Sequence, residues 1–260
     1  KDNMDVFVTG SNAKLLSKDI ATEFAGRGDE VHMYPLSFAE FMTIYNGDKY
    51  MGLSEYMLYG GIPLVVLREG ANEKAVVLQN LFNEIYLRDI IKRNRVKNIG
   101  ELEDLLNILS STIGSLTNPE KLKNTFKTVK KSRITSATIK KYLDYFEDSF
   151  LIESAQRYDI KGKKYLSSND KYYLSDHTFR YAKLGTKNMD YGRILENIVA
   201  IELLRRGYEV YVGVLYKKEI DFVAIKRSEK LYIQVSDDIS SDKTFEREIS
   251  PLLSIGQYTR

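Results

Sequence analysis

Two short strand-like runs, Val6–Thr9 and Glu30–Leu36, open this sequence, each followed by a helical pattern, and no third such run comes before Phe150. Short apolar strands alternating with helices (Ala13–Ala25, then Ser37–Tyr45) point to an α/β unit with a parallel sheet. Two strands cannot build one, because a parallel strand needs cover on both faces and partners at its edges. The opening segment is therefore expected to be the tail of a larger α/β domain, and the remaining residues must fold around helices and a second sheet.

Enough apolar side chains are present for a sizeable core: 43% of the 260 residues are hydrophobic, with 19 Tyr and 11 Phe. Cysteine is absent and only His32 and His177 occur, which excludes disulfides, thiol nucleophiles, thiolate zinc sites and a multi-histidine metal site. Metal chemistry would have to rest on carboxylates and a hard cation such as Mg²⁺. The net charge of +3 names no partner. The longest aliphatic run, Ile62–Leu67, is far short of a membrane span and contains a proline, so no membrane partner is expected. The polar start, Lys1–Asp5, does not read as a signal peptide, and a soluble, cytoplasmic protein is expected.

Four regions follow from the patterning. Residues 1–50 read as the C-terminal remnant of an α/β core. Residues 51–99 are helical and broken at Gly60-Gly61-Ile62-Pro63, where two glycines and a proline end one helix and start another. In residues 100–176, Leu102, Leu105, Leu106 and Leu109 share a helix face, Asn118-Pro119 and Thr135 cap two further helices, and strands near Phe150–Tyr158 and Lys171–Leu174 flank a lysine-rich turn. Three helices and a hairpin in that order predict a winged helix-turn-helix. Residues 177–260 read as helix (Arg193–Arg205), three strands (Glu209–Val214, Glu219–Ile225, Lys230–Ser236) and a last helix, Lys243–Leu253, interrupted near Pro251.

The runs VFVTGSNAKLLSKDIATEFAGR, PLSFAEF, YMLYGGIP, IYLRDIIKRNRV, SATIKKYLDYFEDSFLI, ENIVAIELLRRGYEV and EIDFVA, in this order over nearly the whole chain, resemble bacterial and archaeal P-loop, AAA-type ATPases carrying the C-terminal domain of unknown function 4143. The resemblance implies that Thr9, Ser11 or Asn12 senses the γ-phosphate, that Arg27 senses phosphate charge or acts as an arginine finger, and that Pro63 of the Gly-x-Pro element lies near adenine. An ordinary strand-to-helix turn, a solvated arginine and a simple helix break explain the same residues. The loop G-x-x-x-x-G-K-[ST] that cradles phosphates is not in the sequence. ATP and Mg²⁺ are accordingly expected in an intact parent, with neither bound to this chain, and ATPase activity is expected of that parent alone.

Between Glu120 and Lys141, eight cations face one acid, a local charge of +7. Lys123, Lys127, Lys130, Lys131, Arg133, Lys140 and Lys141 fall on the second and third helices of the predicted winged helix, with Lys163 on its wing, where such folds meet DNA. A solvated face or a protein-docking surface is the alternative.

In the last region, Glu196 on a helix, Glu219 and Asp221 on one strand face, and Gln234 with Ser236 on the next resemble the PD-(D/E)XK nuclease core. The resemblance maps Glu196, Asp221 and Gln234 onto its catalytic positions and makes Glu196 and Asp221 metal ligands. Ser236 stands where that family has lysine, and serine supplies neither charge nor basicity. Two readings stay open: an inactive nuclease-like fold kept for binding, or a Mg²⁺-dependent DNA nuclease whose lysine is Lys218 or Lys243. The combined expectation is a mixed α/β chain: a partial P-loop ATPase α/β segment, a helical lid-like region, a winged helix and a degenerate restriction-endonuclease-like α/β domain. Its partners would be DNA, a protein or the missing ATPase half, and a protein-interaction module is the competing function.

Overall fold

The computed structural model describes residues 7–11, 29, 31–185, 189–216 and 218–255, without the side chains of 84–86, 167, 168, 183 and 184. Residues 7–11 and 31–37 form no ladder, so the two strands expected there are not formed among the described residues. A lone edge without partners has nothing to bond to, which is the physical reason. The first regular element is a short helix, α1 (Phe38–Met42), started by a capping box in which Ser37 accepts from the Glu40 amide and the Glu40 carboxylate accepts from the Ser37 amide.

Helix α2 (Lys49–Tyr59) ends at Gly60, whose positive φ of 68° glycine adopts without strain, and α3 (Pro63–Val66) starts with proline at its first position. The glycine pair is held from two sides. Leu36 N–H donates to Gly61 O at 2.8 Å, and Gly61 N–H donates to Oδ2 of the buried Asp176 at 2.9 Å. A Cβ on Gly61 would lie 2.1 Å from Leu36 O, so only glycine fits. Helix α4 (Ala71–Asn80) runs through a π-helical segment (Leu81–Leu87) into α5 (Arg88–Asn94).

Next come α6 (Ile99–Ser111), α7 (Pro119–Val129) and α8 (Ser136–Asp148). Leu102, Leu105, Leu106 and Leu109 of α6 are buried against Phe126, Ile139, Leu143 and Phe146 in the main core. Asn118 and Thr135 cap α7 and α8 as their sequence positions predict. The hairpin β1 (Ile152–Asp159) and β2 (Lys164–Leu174) follows, then α9 (Thr178–Leu184), α10 (Tyr191–Arg205), β3 (Glu209–Leu215), β4 (Lys218–Lys226), β5 (Glu229–Ile233) and α11 (Asp242–Ile255).

All five strands form one sheet in the order β2-β1-β3-β4-β5, with β1 parallel to β3 and the other pairs antiparallel. The hairpin and the last three strands are thus one sheet, continuous across the division placed between residues 176 and 177. One face packs on the helices. The other forms a smaller cluster around Tyr158, Ile160, Leu215, Ile220 and Val223, covered by Ile255 and Leu252 of α11. That helix is continuous through Pro251, contrary to the predicted interruption, because Pro251 and Ile255 are buried and packing holds both turns in place.

Candidate functional site

Helix α10 brings the first acid to the sheet. Asp190 caps it, accepting from Arg193 N–H at 3.2 Å, and Arg193 Nη1 donates to Ile113 O at 2.8 Å, tying the helix start to the end of α6. One turn on, fully buried Asn197 bonds both backbone groups of Leu174 at 2.8 Å, which fixes α10 against the end of β2. Its neighbour Glu196 is thereby aimed at β2.

On β4, Gly213 pairs with Ile220 and Tyr211 with Val223, so Asp221 and Phe222 together oppose Val212. This bulge redirects the strand. Asp221 Oδ2 accepts from Val235 N–H at 2.8 Å, Gln234 Oε1 accepts from Asp221 N–H at 3.3 Å, and Gln234 Nε2 donates to Glu248 Oε2 of α11 at 2.9 Å. Glu196, Asp221 and Gln234 therefore line one open depression of about 530 Å³ together with Glu219, Glu248 and Arg193.

At its base is a residue that the sequence reading did not single out, Lys171 of β2. Its side chain is 5% exposed, and its Nζ lies 3.1 Å from Glu196 Oε1 and 2.9 Å from Glu219 Oε1. Tyr173, two residues on and so on the same strand face, donates its hydroxyl to Glu196 Oε1 at 2.8 Å. The 112–118 loop closes over them: Gly114 N–H donates to Tyr172 O, Thr117 N–H donates to Asp170 O, and Leu116 bridges Lys171. Gly114 has φ 69°, and a Cβ there would come within 2.9 Å of Glu196 Oε1. Burial pulls the Lys171 ammonium down, but Glu196 and Glu219 outweigh it and raise its pKa, keeping it charged. Burial pushes Asp221 up to about 6, helped by Glu196 and Glu248 and opposed by the Val235 amide and Lys171.

The two lysines named in the sequence reading line an adjoining depression that shares Glu219, Asp221, Gln234 and Glu248 with this one. Lys218 is exposed and donates to Ser250 Oγ at 2.6 Å and Ser254 Oγ at 3.1 Å, while exposed Lys243 lines a neighbouring depression. Ser236 donates to Asp238 O at 2.9 Å. A divalent ion does not fit this donor set. Glu196 Oε1 is taken by Lys171 and Tyr173, Asp221 Oδ2 by a backbone amide, and no three acidic or histidine side chains among the described residues converge on a metal-holding position.

The basic residues stand on the outside of α7 and α8 and, in the case of Lys130, Lys131 and Arg133, in the turn between them and not on a helix as expected, because α7 ends at Val129 and the Thr135 cap starts α8. Lys127, Lys130, Lys131, Arg133, Lys140 and Lys141 are exposed, as is Lys163 in the β1–β2 turn. Lys123 pairs with Glu120, Lys130 pairs with Asp104 at 2.9 Å, and Lys141 sits 5.7 Å from the Tyr145 ring centre. Lys127, Lys131 and Arg133 enter no ion pair among the described residues. Of the residues assigned to nucleotide sensing, Thr9 and Ser11 are exposed outside any element, Pro63 is exposed at the start of α3, and Asn12 and Arg27 lie outside the described residues. Exposed Thr9 and Ser11 do not by themselves fit a triphosphate. Among the described residues, no helix is long and apolar enough to cross a membrane.

Residues 1–42 match the profile of an AAA domain. The profile matching residues 51–190 is the domain of unknown function (DUF8612), where the sequence resemblance pointed to domain 4143. An uncharacterized protein of Haemophilus influenzae is 45% identical over 242 residues, covering 91% of this chain and 60% of its own length. An uncharacterized protein of Methanocaldococcus jannaschii is 33% identical over 261 residues, covering 94% of this chain and 58% of its own. The chain thus spans about three-fifths of the curated relatives it matches. No solved structure matches it. With more than half of its residues matched by one profile, the chain belongs to the family of the domain of unknown function (DUF8612).

Proposed function

We propose that the chain is the part of an AAA-type ATPase that follows the nucleotide-binding half, and that it engages duplex DNA through a winged helix built from α6, α7, α8 and the β1–β2 hairpin. ATP and Mg²⁺ belong to the intact parent in this reading, where Thr9, Ser11, Asn12, Arg27 and Pro63 would report the nucleotide state. The single observation that carries the DNA reading is the distribution of charge over α7, α8 and the turn between them. Phe126, Ile139, Tyr142, Leu143 and Phe146 face the core, while Lys127, Lys131, Arg133, Lys140 and Lys141 face solvent. On α8 the cations lie in the N-terminal half and Asp144, Glu147 and Asp148 in the C-terminal half, and recognition helices meet DNA with their N-terminal residues.

Titration of a fluorescent DNA duplex with this chain tests the reading. With roughly six phosphate contacts, log affinity falls with log salt at a slope of about −5. Replacing Lys130, Lys131 and Arg133 by glutamate should abolish binding, and binding unchanged by those substitutions would overturn it. A protein partner is the second reading, favoured by the exposure of Val31, Met33, Tyr50, Met51 and Leu67 in and next to the segment matching the AAA domain. The partner whose chemistry fits is the remainder of the ATPase, and direct binding to a nucleotide-binding half in the absence of DNA would support it.

A further inference from the structure

The resemblance of Glu196, Asp221 and Gln234 to a nuclease core calls for a divalent ion, yet Glu196 Oε1 is already engaged by Lys171 and Tyr173, and Asp221 Oδ2 by the Val235 amide. The group on Glu196 that carries charge is the cation Lys171. Its ammonium bridges Glu196 and Glu219, which come from different elements and lie 23 residues apart in sequence, and the Gly114–Thr117 backbone covers it. From these positions we propose that Lys171 is the resident cation of this site, an ammonium that takes the place of a divalent ion, neutralises Glu196 and Glu219 within the chain and makes the cluster metal-independent.

Charge and access both follow. An ammonium held between two carboxylates at the base of the depression is committed to them and, already protonated, cannot take a proton from water, which separates Lys171 from a relocated catalytic lysine. The charged residues lining the depression, Asp190, Glu196, Glu219, Asp221 and Glu248 against Lys171 and Arg193, are net acidic and repel a phosphodiester. The cluster then acts as a clamp: Lys171 is on the hairpin, Glu196 on α10 and Glu219 on β4, so one side chain joins the hairpin to the following helix and strand. This inference is independent of whether α7 and α8 bind DNA.

The test is Mn²⁺, added to the whole chain and to Lys171→Met, with calorimetric titration and thermal unfolding read in parallel. In the parent chain no saturable Mn²⁺ site sensitive to Asp221→Asn should appear, and its melting temperature should not respond to Mn²⁺. Lys171→Met removes the internal cation and should gain Mn²⁺ affinity by about tenfold or more. Its lowered melting temperature should recover with Mn²⁺ and not with K⁺ at equal ionic strength. Mn²⁺ binding by the parent chain that Asp221→Asn abolishes would overturn the proposal, as would a folded Lys171→Met that gains neither affinity nor stability. Should Lys171→Met fail to fold, Lys171→Gln carries the same two readouts and the parent-chain arm stands by itself.

Discussion

Lysines in two parts of this molecule do opposite physical work. On α7 and α8 they stand in water, paired loosely or with no ion-pair partner, and on the sheet Lys171 is sealed between two carboxylates. An exposed ion pair contributes about 0–1 kcal/mol, because water and salt screen it. A buried one is costly to break, because the abandoned charge has no water to turn to. The contrast teaches that charge content alone says little about a lysine's role. Its neighbours and its access to solvent decide whether it is a handle for a partner or a rivet in the fold.

The largest expected effect falls on the rivet. Lys171→Met should lower unfolding free energy by about 3–5 kcal/mol in urea denaturation, since it leaves Glu196 charged and half-enclosed. A loss no greater than that of an exposed lysine would erase the distinction between the two regions.

A second carboxylate sharpens it from the other side. Glu153 of β1 enters no ion pair among the described residues. Burial and the nearby Glu147 push it up to about 7, and its Oε1 has no hydrogen-bond partner. Its folded pKa lies above the unfolded value, so the folded state binds the extra proton. Stability is therefore highest near the ordinary carboxylate range and falls as pH rises through about 7. Glu153→Gln should flatten that slope and stabilise the chain above neutral pH by on the order of 2 kcal/mol, measured by urea melts across the pH range. An unchanged pH profile would show that Glu153 is solvated after all.

The smallest effect on stability belongs to the outer lysines. Lys131→Glu together with Arg133→Glu should move unfolding free energy by no more than about 0.5 kcal/mol, measured in the same urea melts. A larger change would mean that these cations also hold the fold.

Much of the local structure was legible in the residues. The GGIP break, the leucine face of α6, the caps at Asn118 and Thr135, and the order of helices and strands from residue 99 onward, except for α9, follow from φ preferences, capping chemistry and periodicity, all of which act within a few residues. The meeting of Glu196, Asp221 and Gln234 around one depression is what the resemblance to the nuclease core implied, and a helix and two adjacent strands carry them. Lys171 was not legible because its partners are 25 and 48 positions away. The alternation that puts Lys171 and Tyr173 on one strand face was the available signal.

Composition and spacing by themselves determined that this chain has no thiol or multi-histidine chemistry, and where α2, α7 and α8 start or stop. Only the tertiary structure decided that the hairpin joins the last three strands in one sheet, that Pro251 lies inside a continuous helix, and that a lysine sits among the acids. The reason is range: propensity and capping are settled within a turn or two of chain, whereas the free energy of a buried charge depends on groups that sequence distance keeps apart and folding brings within 3.1 Å.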